Sequence, residues 1–388
     1  MKPLTFLVIA GDPSGDLAAA DLVRALRLEA GPLSPRFVGA GGAALKAAGV
    51  ELAFELTSHS VIGIEILARL HFFRQVFLGL LDLAERECPD VVIGVDYSGF
   101  NLRFAAELKR RVKVADRPFH NWNPKIVQYI SPQVWASRPG RARTMERTHD
   151  LLLSILPFES AWFLRNAPRL KVKFVGHPLV DRRQPVLQQD NSSRISPSAR
   201  GPSLVLLPGS RASELDRHLP VMVPAAVRVN RETGVQVKLV LPTEQLRLIA
   251  APYLSSTPKI EVQIGELDEA LLSATVALAS TGTVTLECAW FGVPTVALYK
   301  TSPVTYQIGR RILTVSHLAM PNLLANETLI PEFIQNNATA DALANAVLML
   351  LRDEDRRSMI RLRLLDLARS LGEPGTGKRA AQAILDLF

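Results

Sequence analysis

Four short stretches of the sequence carry residue types that could do chemistry. In GVDYSGFN, residues 94–101, a nearly continuous apolar run closes on Asp96. A carboxylate at the end of a buried strand, facing a cleft, can take the proton of a hydroxyl nucleophile. The structural alternative is an Asx turn to Ser98 or Gly99. In LLPGSRASEL, residues 206–215, the backbone N–H groups of Gly209, Ser210 and Arg211 precede a helix start and could hold phosphate oxygens, with the Arg211 guanidinium adding a charge-assisted fork. No lysine follows, so this is not a Walker-type loop. In STGTVTLECAWFGVP, residues 280–294, Thr281, Gly282 and Thr283 form another strand-to-helix turn, and Glu287 follows one turn on. Glu287 could grip two vicinal ribose hydroxyls, or stand as an ordinary surface charge. GDPSGD, residues 11–16, is a second glycine turn without the GxGxxG spacing, in which Asp12 or Asp16 could simply cap a helix. His59 in TSHSVIG is a further base candidate, with a purely structural role as its alternative.

Positioning these groups requires two successive α/β units. Short apolar runs at 4–10, 91–96 and 125–131 alternate with amphipathic segments such as 17–29 and 101–111, the pattern of a parallel sheet with helical crossovers. Residues 182–203, rich in Ser, Pro and Gln, read as a connector, after which the alternation restarts at SLVLLP. The expected organisation is 1–181, the linker region 182–203, a second unit 204–373, and a closing helix 374–388. Ligands of doubly wound sheets bind at the carboxyl ends of the strands.

With 388 residues, 48% of them hydrophobic and 21% charged, the chain can bury two cores. The formal charge of +8 suits anionic partners, but the basic residues are dispersed and no zinc-finger spacing occurs, so composition alone selects none. Two cysteines, Cys88 and Cys288, indicate neither a disulfide framework nor a cysteine metal site. The stretch 62–81, IGIEILARLHFFRQVFLGLL, is apolar on several faces. It is either a core helix or an exposed patch, with Ile64, Leu67, Phe72, Phe73 and Phe77 beside Arg69 and Arg74, suited to a membrane surface or an acyl chain.

GDPSGD, HSVIG, GVDYSGFN, YISPQVWAS, LPFE, FVGHPLVD, LLPGSRASEL, STGTVTLECAWFGVP and MPNLLANE, in this order over nearly the whole chain, resemble the bacterial lipid-A-disaccharide synthase family. The resemblance implies an α/β GT-B fold, two Rossmann-like domains with an interdomain cleft, and an inverting glycosyltransferase. The implied reaction moves 2,3-diacylglucosamine from UDP-2,3-diacylglucosamine to 2,3-diacylglucosamine 1-phosphate, giving a β-1,6 disaccharide 1-phosphate and UDP. It assigns Asp96 as general base, and Gly209, Ser210, Arg211, Thr283, Glu287 and Asn322 to the donor. The acceptor goes to Asp12, Ser14, Gly15 and His59, and the patch in 62–81 to the cytoplasmic face of the inner membrane. No cofactor, metal or nucleic acid is implied, and a homodimer is permitted. The resemblance also implies that the closing helix 374–388 returns to the first unit. The chain departs from the family pattern at Asp12 (commonly Glu), Ser137 (commonly Trp), Thr281 (commonly Ser) and in a longer connection at 115–124. Competing expectations are a UDP-sugar 2-epimerase of the same architecture and a non-enzymatic lipid- or nucleotide-binding module.

Overall fold

The computed structural model describes residues 3–31, 34–56, 66–115, 122–189, 201–255, 257 and 260–388. They divide into two compact units, Met1–Arg182 with Leu371–Phe388, and Arg183–Ser370. The first holds a seven-stranded sheet: β1 (Thr5–Ala10), β2 (Arg36–Gly41), β3 (Glu51–Glu55), β4 (Val91–Val95), β5 (Lys125–Tyr129), β6 (Leu151–Ser154) and β7 (Val172–Phe174), in the order β3-β2-β1-β4-β5-β6-β7. The second holds six strands: β8 (Ser203–Leu207), β9 (Gln236–Leu241), β10 (Ile260–Ile264), β11 (Val276–Ser280), β12 (Thr295–Tyr299) and β13 (Glu332–Ile334), in the order β10-β9-β8-β11-β12-β13. Every pairing is parallel.

These orders explain why the chain carries two pairs of glycine turns. In each sheet the strand order reverses beside the first strand, so the loop leaving that strand stands next to the loop leaving its neighbour, at the crevice where doubly wound folds take ligands. Ala10 pairs with Val95, which brings GDPSGD beside Asp96. Leu207 pairs with Ala279, which brings PGSR beside STGT. The central strands can sit there because they are apolar on both faces: VVIGV of β4 and VALAS of β11 are buried throughout.

The closing segment belongs to the first unit. Ala380, Ala381, Ala383 and Ile384 of the helix Thr376–Leu385 share a buried cluster with Leu22, Val23 and Leu26 of the helix Pro13–Glu29. Small side chains on one helix let the other approach closely, and polar ties fix the approach. Asp181 accepts from the Gly375 and Gly377 N–H groups at 2.6 and 3.3 Å, and Arg379 Nε donates to the Val175 carbonyl at 2.8 Å.

One expectation needs correction. The connector expected from residue 182 begins inside a helix, Pro178–Gln189, whose first turn is formed by the HPLVD motif and held by the Asp181 contacts; polar composition hid it. The described part of the expected patch at 62–81 lies in the helix Ile66–Glu87, where Phe72, Phe73 and Phe77 are each half-buried. Phe72 and Phe77 pack on a buried cluster with Leu80, Leu81 and Phe104, and Phe77 meets the Phe100 and Phe104 rings edge-on at 5.4 and 6.0 Å. Phe73 is half-buried and lies 6.3 Å from the Tyr97 ring. Ile64 and the side chain of Leu67 lie outside the described residues.

Candidate active site

In the first unit, Asp96 leaves β4 in a left-handed conformation with φ +48°, followed by Tyr97 at +39°. Non-glycine residues pay for this backbone and keep it only where the surroundings impose it. Here the Asp96 N–H donates to the Tyr129 carbonyl at 3.0 Å, while its own carbonyl accepts from Asn101 Nδ2 and Gln128 Nε2, each at 3.0 Å. Gly94 lets these two amides close in: a Cβ there would stand 2.8 Å from Gln128 Oε1 and 3.0 Å from Asn101. Asn101 and Gln128 are both buried. The Tyr97 ring packs directly over Gly11, where a methyl group would collide with it, and stacks on Phe100 at 5.6 Å.

The turn GDPSGD carries two caps. Asp12 is the N-cap of the helix Pro13–Glu29 and accepts from the Gly15 N–H at 2.7 Å and the Ser14 hydroxyl at 2.8 Å. Asp16 is buried and accepts from the Gly42, Ala44 and Leu45 N–H groups, capping the short helix Ala43–Ala47. Gly15 places the turn against the base candidate: a Cβ there would be in ordinary contact, 3.6 Å from Asp96 Cβ. Burial, and secondly the charge of Asp12, push the Asp96 carboxyl up to about 6, against a bond from the Tyr97 backbone that favours the anion. Asp96 is therefore a carboxylate poised just below neutrality, the range in which a general base is effective. His59 lies outside the described residues.

Two motifs of this unit turn out to be structural partners. Glu159 of LPFE is fully buried and accepts from Trp135 Nε1 of YISPQVWAS at 3.0 Å and from the Ile155 and Leu156 N–H groups. Burial raises its carboxyl to about 7 despite these donors.

In the second unit a pocket of about 650 Å³ opens at the carboxyl ends of β8, β9 and β11. Gly209, Ser210, Arg211, Thr283 and Glu287 line it, as expected from the sequence; so do Arg183, Glu214, Glu266 and Asp268, which the sequence reading did not single out. Arg211 is the N-cap of the long helix Ala212–Thr233, and its side chain is 78% exposed at the mouth. The Ser210 N–H donates to Glu214 Oε2 at 2.8 Å, and Arg211 reaches Glu214 Oε1 at 3.3 Å. The Glu214 carboxylate thus lies against the donor groups that the sequence assigned to a phosphate. His218, one helical turn on and buried, fixes the loop from behind. Its Nε2 accepts from the Lys300 N–H at 3.2 Å, which leaves Nδ1 to donate to the Pro208 carbonyl at 2.6 Å, and burial lowers its pKa so that the ring is neutral.

Gly209 has φ +127°, and a Cβ there would meet the Glu214 carboxylate and lie 2.9 Å from Glu214 Cβ. Gly209→Ala is expected to cost on the order of 1–3 kcal/mol of loop strain. Calorimetric titration with UDP should then show affinity reduced about tenfold or more, while an unchanged affinity would show that the loop does not contact the nucleotide.

Glu287 projects from the helix Thr283–Trp290 and is held by Arg183, whose second amino group reaches Asp268 on the helix Leu267–Leu272. Asn322 is placed differently from the expectation of a donor contact. It is fully buried: its Nδ2 donates to the Ile330 carbonyl and Glu332, and its Oδ1 accepts from the Leu329 and Ile330 N–H groups. With its amide taken up on both sides, it braces the entry to β13 rather than facing the pocket.

A family model described as lipid-A-disaccharide synthetase matches residues 6–386. The chain is 37% identical to the lipid-A-disaccharide synthase of Myxococcus xanthus, covering 100% of this chain and 98% of that one. It is 34% identical to that of Geobacter sulfurreducens over 98% of this chain and 97% of its relative. The chain belongs to the lipid-A-disaccharide synthase family. It is a glycosyltransferase, and the family's disaccharide-forming reaction, with a UDP-sugar as donor and a lipid precursor as acceptor, is its reaction. Among solved structures, a putative UDP-N-acetylglucosamine 2-epimerase from Listeria monocytogenes covers 99% of this chain and 95% of its own at 16% identity and a TM-score of 0.64. The calicheamicin glycosyltransferase CalG4 covers 100% and 98% at 16% identity and a TM-score of 0.58. At such identities the likeness shows the fold alone, the two-unit α/β arrangement of GT-B enzymes. The full-length family match separates the chain from the epimerases that share that fold. Among the described residues no helix is long and apolar enough to cross a membrane.

Proposed function

We propose that Asp96 is the general base of the transfer and that the pocket of the second unit holds the UDP portion of the donor. The acceptor 6-hydroxyl of 2,3-diacylglucosamine 1-phosphate gives its proton to the Asp96 carboxylate as its oxygen attacks the anomeric carbon of UDP-2,3-diacylglucosamine. The bond to the diphosphate oxygen breaks on the opposite face, inverting that carbon, and UDP leaves with the electron pair. Charge growing on the departing diphosphate is met by the N–H groups of Gly209, Ser210 and Arg211, the N-terminal end of the helix Ala212–Thr233, the Arg211 guanidinium and Thr283. Glu214 yields the Ser210 N–H as the diphosphate enters. Glu287 accepts from the ribose hydroxyls. Asp12, Ser14 and Gly15, beside Asp96, contact the acceptor sugar. The observation that carries this reading is Asp96 itself, a carboxyl raised to about 6 in an imposed left-handed turn at the crevice of its sheet.

The substrates are diacylated, and the working place proposed for the enzyme is the cytoplasmic surface of the inner membrane, bound peripherally. The deciding assay supplies both lipids in detergent. One UDP and one tetra-acylated disaccharide 1-phosphate should form per turnover, with inverted configuration at the donor carbon. A retained configuration would overturn direct displacement with Asp96 as base.

A further inference from the structure

The helix Pro303–Ile312 is built the wrong way round for a surface helix. Surface helices turn their apolar stripe to the core and their polar face to water. This one buries no residue, and its two aliphatic side chains one turn apart, Val304 and Ile308, are 70% and 54% exposed. Leu313, at its C-cap, is 41% exposed. Arg311, three residues on from Ile308, borders the same stripe, and both Arg310 and Arg311 are exposed. From Cys288 to Asn326 the sequence contains no Asp or Glu, while Lys300, Arg310 and Arg311 fall within it. The helix is well formed locally: Ser302 Oγ accepts from the Thr305 N–H at 3.1 Å, and Pro303 occupies the first turn. Its outward apolar row is therefore not the by-product of a frayed segment.

Its place in the fold supplies the reason. The helix springs from the carboxyl end of β12, and β12 lies beside β11, whose carboxyl end supplies Ser280 to Thr283 of the nucleotide pocket. All strands of this sheet are parallel, so the aliphatic row and the pocket belong to one edge of one unit. A donor that joins a charged nucleotide to two acyl chains presents two solvents to the protein, and such an edge meets both.

We propose that the helix Pro303–Ile312, with Leu313, is a membrane-docking face that inserts Val304, Ile308 and Leu313 among the lipids of an anionic leaflet while Arg310 and Arg311 contact its phosphates. The proposal rests on the peripheral-membrane reading above. It assigns the docking surface to the donor-binding unit, so that the nucleotide enters the pocket while the acyl chains stay in the bilayer. Apolar insertion and basic attraction each contribute to interfacial binding, and neither alone gives firm anchoring.

The test uses the full chain and flotation with vesicles of phosphatidylglycerol and phosphatidylethanolamine, against vesicles of phosphatidylcholine alone. The wild type should float with the anionic vesicles. V304S/I308S/L313S should lower the partition by about tenfold or more, and R310Q/R311Q by about fivefold for each arginine removed at low salt. Unchanged UDP affinity in lipid-free solution shows that each variant is folded. If the wild type floats and the triple serine variant floats equally, this helix is not the docking face, and the peripheral reading stands on another surface. If the wild type binds no vesicle, that reading fails and takes the proposal with it. If the serine substitutions leave vesicle binding intact but halve the mass in solution, the row is a contact between copies of the chain and the proposal is overturned.

Discussion

Replacing Asp96 by asparagine is expected to lower kcat by about 10²–10⁴-fold, the contribution of a positioned general base, while UDP affinity stays at the wild-type value. Asparagine keeps the shape and the backbone ties: the contacts that impose the left-handed turn, to Tyr129, Asn101 and Gln128, are made by the main chain of Asp96. What it removes is a proton acceptor. The pH profile gives an independent check. Because the carboxyl is raised to about 6 and the base acts when ionised, kcat/KM of the wild type should rise roughly tenfold per pH unit below about 6 and level off above it. A profile without that limb, or an Asp96→Asn variant within tenfold of wild type, would assign the proton transfer elsewhere.

The same substitution should stabilise the protein. A carboxyl whose folded pKa, about 6, exceeds its unfolded value of 3.8 binds more protons folded than unfolded between those values. Stability of the wild type therefore falls as pH rises from about 4 to 6 and stays lowered above that range. Two units correspond to about 3 kcal/mol as an upper limit, and partial exposure of Asp96 keeps the real value below it. The melting temperatures of wild type and Asp96→Asn should coincide near pH 4, separate up to pH 6 with the variant higher, and run parallel above. Opposite signs for turnover and stability are the signature of a group kept at a structural cost for its chemistry. A capping or turn role for Asp96 predicts a loss of stability instead.

What the sequence made legible follows from which interactions are local. A strand that is apolar on both faces and ends in a glycine or acid turn can be read from the chain, so β1, β4, β8 and β11 and their four loops were identifiable, and with them Asp96, Gly209 and Thr283. The closing segment could be placed for a different reason, the likeness to related enzymes. Groups supplied across long separations were not legible. Gln128 sits in the strand KIVQY, where a buried amide in an apolar run was the available signal, and its partner, the Asp96 carbonyl, is 32 residues away. Asn322 was read as a donor contact because it stands in a motif, yet a motif asparagine can equally serve the backbone of the next strand, as its four bonds to residues 329–332 show. The aromatic residues of 62–81 were ambiguous because a helix apolar on several faces gives no direction. Phe100 and Phe104, on another element, decide that Phe77 turns inward. Arg183 was lost altogether, since the polar run from 182 onward has the composition of a linker.

Removal of Arg183 is expected to weaken donor binding far more than its place in that run suggests. The pocket is lined by four carboxylates, Glu214, Glu266, Asp268 and Glu287, against two guanidinium groups, and on the proposed reading it must accept a diphosphate. Arg183 joins Asp268 to Glu287, with 2.8 Å to Glu287 Oε2, and all three side chains are only 20–23% exposed. Its fork does two things: it neutralises two acids that would otherwise repel the nucleotide, and it fixes the Glu287 carboxylate at an angle from which ribose hydroxyls can be met. Unpaired charges at close range in a partly dehydrated site are costly, but water at the mouth and salt screen them, so we expect about 1–3 kcal/mol of UDP affinity to be lost in Arg183→Ala. That is a rise in Kd of about 5- to 150-fold. Donor KM should rise with it while kcat at saturating donor stays close to wild type, because the interaction serves the bound donor before and during transfer alike. Arg183→Lys keeps the charge but not the fork and should recover only part of the loss. Arg183→Ala/Asp268→Asn separates the two effects: it should regain the electrostatic share, leaving the cost of a misdirected Glu287, and that remainder should be insensitive to salt. UDP affinity within twofold of wild type in Arg183→Ala would reduce the Arg183 contacts to a surface ion pair without a part in donor binding.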